Sequence, residues 1–339
     1  VLVLKTGTNR AGFALQVRKA GGRISGIMQI SSGILAGNQE AETFLYYELL
    51  KYLMSTAIDP QKFKSTQRQG WDSVAEGWKR WWKVIEQGGQ VVNDTLVELA
   101  KVSQGNRVLD IATGIGEPAL TAARKAGPSG KVTAIDISPG MLAIARERAR
   151  EAGLENIEFQ EADAETFRLP NSRFDAIVSR FGLMFLPNLP NALRIMRDAL
   201  ADDGRIAAAV WSSPDKVPAL SMPLGIVMKE ASAPPPPPGS PGPFSLADAE
   251  ILRQRFEQAG FRDINIEKRD MSFRLPSPEQ YVDFVRSTAA PLNAMMAGLA
   301  DGRKEEIWNK VVDAARRLAD PGTGSINFSN QVVYVSAKR

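Results

Sequence analysis

From Asn106 onward, short apolar runs alternate with longer stretches in which apolar residues recur every three or four positions. The short runs RVLDIA (107–112), KVTAID (131–136), IEFQEAD (157–163), FDAIVSR (174–180) and RIAAAVW (205–211) predict strands. Between them PALTAARKAG, PGMLAIARERAREAG and NALRIMRDALADDG carry helical spacing, and each closes on glycine, the residue best suited to a left-handed helix end. Strands alternating with helices imply β-α-β units, hence an α/β protein built on an open, doubly wound parallel sheet. Further on, ADAEILRQRFEQAG predicts a helix, DINIEKRDMSF a strand, residues 278–319 a helical stretch and NQVVYVSAKR a final strand.

Two segments break this rhythm. The proline density of ASAPPPPPGSPGPF (231–244) opposes both helix and ladder, so it reads as an extended connecting spacer. Residues 1–39 hold five basic residues and no acid, with scattered glycine, and are expected to have little structure; an acid-poor targeting peptide is the other reading. The stretch from Met54, MSTAIDPQKFKSTQ, resembles an ordinary protein beginning. The expected organisation is an extension (1–53), a helical cap (54–105), an α/β core (106–212), a proline-rich loop (213–246) and a C-terminal part (247–339) that completes the sheet and carries a helical insert at about 278–319.

Composition then removes chemistry. The 339 residues include neither cysteine nor histidine, which excludes disulfides, the usual zinc sites, a cysteine nucleophile and a Ser-His-Asp triad. No metal is expected. Of the net charge of +4, residues 1–53 supply +3, so the body is nearly neutral and no nucleic-acid partner is expected. No apolar run reaches the roughly 18 residues of a membrane span. A soluble, cytoplasmic protein acting on a small molecule is expected, its oligomeric state open.

The candidate chemistry lies in VLDIATGIGEPA (108–119). A glycine turn between strand and helix lets a ligand approach the backbone. Gly114, Gly116 and Ala119 satisfy the dinucleotide spacing, with Asp136 22 residues beyond Gly114, so a nicotinamide-dependent reductase is one candidate. Against it, Asp110 stands four residues before Gly114 and is expected to put a carboxylate at the mouth of the turn, which suits a cation better than pyrophosphate. Asp163, in EADAE, ends the third strand at the same sheet edge.

Three carboxylates ending three successive strands beside a glycine turn resemble the class I S-adenosylmethionine-dependent methyltransferases, nearest the type 11 group that includes the ubiquinone and menaquinone C-methyltransferases. The resemblance spans roughly residues 68–339. It implies a Rossmann-like, mostly parallel seven-stranded sheet, with S-adenosylmethionine as cofactor. Asp110, Ala112, Gly114 and Gly116 would line its methionine end, and Asp136 would hold the ribose, with Ile137 and Met141 beside the adenine. Asp163 and Ala164 would meet the adenine edge, and Ser179, Arg180 and Phe181 would close the floor. Ala112 stands where the family turn usually has its first glycine.

WDSVAEGWKRWWKVIEQ (71–87) holds four of the six tryptophans and looks like the family's aromatic lid, which would put Trp78 near the sulfonium; an aromatic stripe packed on the sheet explains the spacing equally. In the insert, Tyr281, Phe284, Met295 and Met296, with Leu292, are expected to line an apolar acceptor site. The resemblance implies methyl transfer to a small, largely apolar acceptor such as a quinol, phenol or lipid-like molecule. It names no catalytic base, and a non-catalytic S-adenosylmethionine-binding protein is a further alternative.

Overall fold

The computed structural model describes residues 2–9, 12–19, 22–23, 29–30, 59–168, 173–237 and 239–339. The chain divides into two units, Val1–Ala57 and Ile58–Arg339. In the first unit, Leu2–Asn9 pairs antiparallel with Gly12–Lys19, which also pairs with the two-residue strands Gly22–Arg23 and Gln29–Ile30. Little structure is expected here from the sequence, but the β-branched Val3, Thr6 and Thr8 favour a strand. The proposed start at Met54 lies outside the described residues.

In the second unit, α1 (Pro60–Leu99) is one 40-residue helix. Its start is set by Asp59, whose side chain accepts the Gln61 and Lys62 N–H groups, and by Pro60 in the first turn, where no N–H is needed. There follow β1 (Arg107–Ile111), α2 (Ala119–Ala126), β2 (Lys131–Asp136), α3 (Pro139–Glu151), β3 (Ile157–Glu161), β4 (Phe174–Arg180), α4 (Leu189–Ala199), β5 (Leu200–Trp211), α5 (Pro218–Glu230), α6 (Ala249–Gln258) and β6 (Arg262–Leu275). Helices α7 (Pro278–Thr288), α8 (Ala290–Met295) and α9 (Asp301–Arg316) precede β7 (Ile326–Lys338).

The seven strands form one sheet in the order β6-β7-β5-β4-β1-β2-β3. The five from β3 to β5 run parallel, and β7 is antiparallel to both its neighbours. One apolar cluster joins the sheet to α4 and α6 through Leu193, Met196, Leu252 and Phe256. A second joins it to α2 and the end of α1 through Ala122, Val92 and Leu96. Each fully buried large side chain contributes roughly 1.5–3 kcal/mol. A third cluster, of α5, α7, α8 and α9 with Phe273 and Phe328, forms a cap.

Two sequence expectations give way. Helix α4 stops at Ala199 and the chain passes straight into β5, so Gly204 lies within a strand and caps nothing. The 278–319 stretch is helical as expected, divided into α7, α8 and α9. The proline-rich connector contains α5: Pro218 occupies its first turn and Pro223 its interior. Pro223 has no N–H to give to the Ala219 carbonyl four residues earlier. The Tyr281 hydroxyl donates to that carbonyl at 2.7 Å instead, and Asn330 Oδ1 accepts the Ala219 N–H at 3.1 Å, pinning α5 to α7 and β7.

Candidate active site

The parallel strands end together on one edge of the sheet, where consecutive helices leave in opposite directions and open a crevice. There a cavity of about 370 Å³ lies beneath α1. Its near half is walled by Ala112, Thr113 and Gly114 after β1, Asp136, Ile137 and Met141 after β2, and Asp163 and Ala164 after β3. Its far half is apolar, with Trp211, Leu224, Met271, Phe273, Phe284 and Leu292.

The turn after β1 is shaped by backbone geometry. Ala112 has φ +58°, a left-handed conformation that costs an L-residue about 1–2 kcal/mol. Phe181, after β4, also has φ +58°. The two turns touch: a Cβ on Gly182 would fall 2.6 Å from the Ala112 Cβ. Gly114, at φ +55°, donates its N–H to Asp136 Oδ2 at 2.8 Å. Asp136 Oδ1 accepts the Ser138 N–H at 2.9 Å. Each oxygen keeps a lone pair, and the carboxylate borders the cavity, as an acceptor for two ligand hydroxyls must. Burial pushes the Asp136 pKa up against the pull of its backbone donors.

Asp110 departs from expectation. It is fully buried, does not border the cavity, and accepts the Ala119 N–H at 3.0 Å with Oδ2. Ala119 opens α2, whose Pro118 cap offers no side-chain bond, so Asp110 satisfies one of the orphan donors there from behind the turn. Burial raises its pKa to about 7. The carboxylate expected at the mouth of the turn therefore shapes the turn from within, and the preference for a cation cannot rest on it.

Gly116 (φ +107°) is also absent from the cavity wall: a Cβ there would lie 2.4 Å from Leu120 Cδ1, so this glycine serves helix packing. Ser179 is buried, donating to the Ile111 carbonyl at 2.9 Å and tying β4 to β1. Tyr281 is consumed by the bond to Ala219 and buried in the cap, and Met295 and Met296 pack in the same cluster away from the cavity. Their spacing reports cap packing. Phe284, Leu292, Arg180, Phe181 and Trp78 do border the cavity.

The roof contains residues the sequence did not single out. Lys64, buried in the first turns of α1, pairs with Asp163 at 2.6 Å and Glu165 at 3.1 Å. Burial lowers its pKa, but the two carboxylates outweigh this and the net direction is up. Asp163 is thus shared between the cavity and the roof. Asp72 accepts the Ser138 hydroxyl at 2.5 Å and the Gly140 N–H at 3.0 Å, fastening α1 to the loop after β2. Trp78 donates Nε1–H to the Thr288 carbonyl at 3.1 Å and meets Trp71 edge to face at 6.1 Å. Gly77 lets α1 approach α7: a Cβ there would fall 1.9 Å from the Ser287 carbonyl oxygen. The proline-rich segment is wall as well as connector. Pro243 borders the cavity, and Gly242 N–H and Ser245 Oγ–H both donate to the Met184 carbonyl at 2.9 Å. Asp72 and Lys64 were detectable only as polar positions facing inward on an amphipathic helix.

A parallel sheet with an antiparallel last hairpin, a glycine turn after its first strand and a carboxylate ending the second define the class I methyltransferase architecture. Residues 108–204 match the methyltransferase domain family. The ubiquinone/menaquinone biosynthesis C-methyltransferase UbiE of Azotobacter vinelandii is 37% identical over 175 residues, which cover 46% of this chain and 69% of that protein. The enzyme of the same name from Pseudomonas entomophila is 37% identical over 144 residues, 42% of this chain and 52% of that one. The chain spans about half the length of most of these curated relatives. Among solved structures, the YcgJ protein from Bacillus subtilis aligns with 17% identity over 73% of this chain and 97% of its own, at a TM-score of 0.48. The chain belongs to the class I S-adenosylmethionine-dependent methyltransferases and, within them, is similar to the ubiquinone/menaquinone C-methyltransferases. It is a methyltransferase, and its cofactor is S-adenosylmethionine. The nicotinamide-dependent and non-catalytic alternatives are not favoured.

Among the described residues no helix is long and apolar enough to cross a membrane, and no cluster of carboxylates could hold a metal ion.

Proposed function

We propose that this chain methylates a small, largely apolar acceptor of the quinol, phenol or lipid-like kind. The observation carrying this reading is the continuity of the cavity, which runs from the glycine turn and Asp136 into an apolar chamber under α1 and the cap.

In this reading Ala112, Thr113 and Gly114 hold the methionine end of the cofactor, and Asp136 accepts its ribose hydroxyls. Ile137 and Met141 flank the adenine, and Asp163 and Ala164 meet its edge, Asp163 with the lone pairs that Lys64 leaves free. The donor set supports the fit: the near half offers carboxylates and a tight backbone turn, and of the two cations bordering the cavity among the described residues, Lys64 is already paired with Asp163 and Glu165 and Arg180 is held by Asn93 and Glu86. Bound there, S-adenosylmethionine supplies a methyl group on a positively charged sulfur, already a good leaving group. Trp78, on the roof, presents an aromatic face suited to positive charge. The chain holds the acceptor against the methyl in line, at about 3–3.5 Å, and excludes water from a chamber walled by aromatic and aliphatic side chains. A dedicated base is not part of this reading.

Calorimetric titration of the full chain with S-adenosylhomocysteine, NADH and NADPH in parallel tests it. S-adenosylhomocysteine alone is expected to bind, and binding of the nicotinamides alone would sink the reading. A quinol and phenol panel with labelled S-adenosylmethionine then tests the acceptor class.

A further inference from the structure

We infer that Arg180 is the anion anchor of the acceptor chamber, so that the acceptor carries a carboxylate or an ionised phenolic oxygen beside its apolar body. The inference rests on the methyl-transfer reading and deepens it. It also moves Arg180 from the cofactor's floor, where sequence resemblance put it, to the acceptor.

Arg180 ends β4 and borders the cavity with its side chain only 8% exposed. Three residues of α1 hold it. Asn93 Oδ1 accepts from its Nη1 at 2.9 Å, Glu86 Oε2 lies 3.5 Å from the same nitrogen, and Gly89 leaves the room: a Cβ there would stand 2.9 Å from Nη1. The clamp is itself fixed, because Asn93 Nδ2 donates to Glu86 at 3.0 Å.

All these contacts fall on Nη1. Among the described residues no protein acceptor takes the Nε–H or the Nη2 hydrogens, although that edge of a guanidinium is the one matched to two oxygens of a carboxylate. Of the nearby carboxylates, Glu86 and Asp110 each keep one buried oxygen without a hydrogen-bond partner. Glu86 is shared with Arg148 at 3.6 Å. Glu117 accepts both the N–H and the hydroxyl of Thr121 with Oε2 and faces Arg124 with Oε1 at 3.7 Å, and Asp110 uses Oδ2 on the Ala119 N–H.

Beside Arg180 the cavity wall combines the Glu117 carboxylate with flat, apolar side chains. The next residue, Phe181, stacks on Trp211 with centroids 3.9 Å apart and planes 9° from parallel. Gly88, beside Gly89, brings α1 down onto Met271 and Phe273 of β6. A donor edge that opens into a largely apolar chamber gains most when an acceptor, water or an oxyanion, meets it, and the oxyanion gives the stronger, charge-assisted bond. A planar ring lying along the aromatic wall would carry that oxyanion to the guanidinium.

The test uses the full chain saturated with S-adenosylhomocysteine at neutral pH. Calorimetry compares naphthoate with naphthamide of the same ring position, one anionic and one neutral. Naphthoate is expected to bind about tenfold or more tightly, in line with a charge-assisted pair at a desolvated site. In Arg180→Met the preference should fall to about twofold or less. Arg180→Lys, which keeps the charge without the fork, should fall between, and S-adenosylhomocysteine should bind all three proteins within about threefold. Equal affinity for the two probes in the wild type, including binding of neither, would overturn the inference, as would a preference that survives Arg180→Met. A tenfold loss of S-adenosylhomocysteine affinity in Arg180→Met would also overturn it, because the oxyanion would then be the cofactor's own carboxylate. A wild-type chain that fails to bind S-adenosylhomocysteine sinks the methyl-transfer reading itself, whereas the other outcomes leave that reading standing.

Discussion

The two halves of the cavity are built in opposite ways. The near half comes from three consecutive strand ends and their following turns, within residues 112–164, and its geometry is mostly backbone: two positive-φ residues at 112 and 114, and a carboxylate tied to an N–H. The far half gathers side chains from α1, β5, α5, β6, α7 and α9's neighbour α8, segments as far apart as Ile85 and Leu292. A ligand site made of local turns tolerates little change in sequence spacing. One made of distant apolar side chains can be reshaped without disturbing the first, so a fixed cofactor half can serve many acceptor halves.

That contrast yields predictions that sharpen or break it, the largest first. Buried carboxylates under the near half should make the unliganded protein lose stability as pH rises. Asp110 has its folded pKa raised from the ordinary carboxylate value to about 7 by burial, so between those pH values the folded chain holds a proton that the unfolded chain releases. Stability is therefore highest below about pH 4 as far as this group is concerned, and declines through about pH 7, by at most ~4 kcal/mol in total. Asp136 and Glu117, both pushed up by burial, add the same sign. Asp110→Asn should flatten its share of the decline in urea melts taken across that range; an unchanged slope would count against a buried, protonated Asp110.

Asp136→Ala should weaken S-adenosylhomocysteine binding about 100-fold, close to 3 kcal/mol, since it removes the proposed ribose acceptor and frees two backbone donors. Calorimetry reads this directly. Gly77→Ala should push α7 away from α1 and cost about 1–3 kcal/mol in thermal or urea unfolding, with S-adenosylhomocysteine affinity changed less than about threefold. If cofactor affinity collapsed instead, the two halves would not be separable. Ser245→Ala, which removes one of two bonds to the Met184 carbonyl, should cost about 1 kcal/mol or less and leave cofactor affinity unchanged in the same titration.

How much could be read beforehand follows the same division. The seven strands of the large sheet and the positions of Asp136, Gly114 and Ala164 were legible, because strand patterning and a glycine turn are local in sequence, whereas the strands within residues 2–30 were not expected. Asp110 was read as a ligand group and proved to be a helix cap: its residue type is the same in both roles, and only the direction of the side chain separates them. Tyr281, Met295 and Met296 were read as lining residues from helical spacing, which reports that a face is buried but not what buries it. Helix α5 was hidden by its prolines, since the partner that compensates Pro223 is a tyrosine 58 positions later. The ion pair of Lys64 with Asp163 spans 99 positions, and no pattern within α1 could have announced it.

Helix α1 links these scales. Over one uninterrupted 40-residue length it grips Asp163 through Lys64, the loop after β2 through Asp72, the cap through Trp78 and the Arg180 clamp through Glu86 and Asn93. A rod fastened at so many points cannot lift at one end without straining the others. In the methyl-transfer reading proposed above, the spent nucleoside and the methylated product would both lie beneath this one beam.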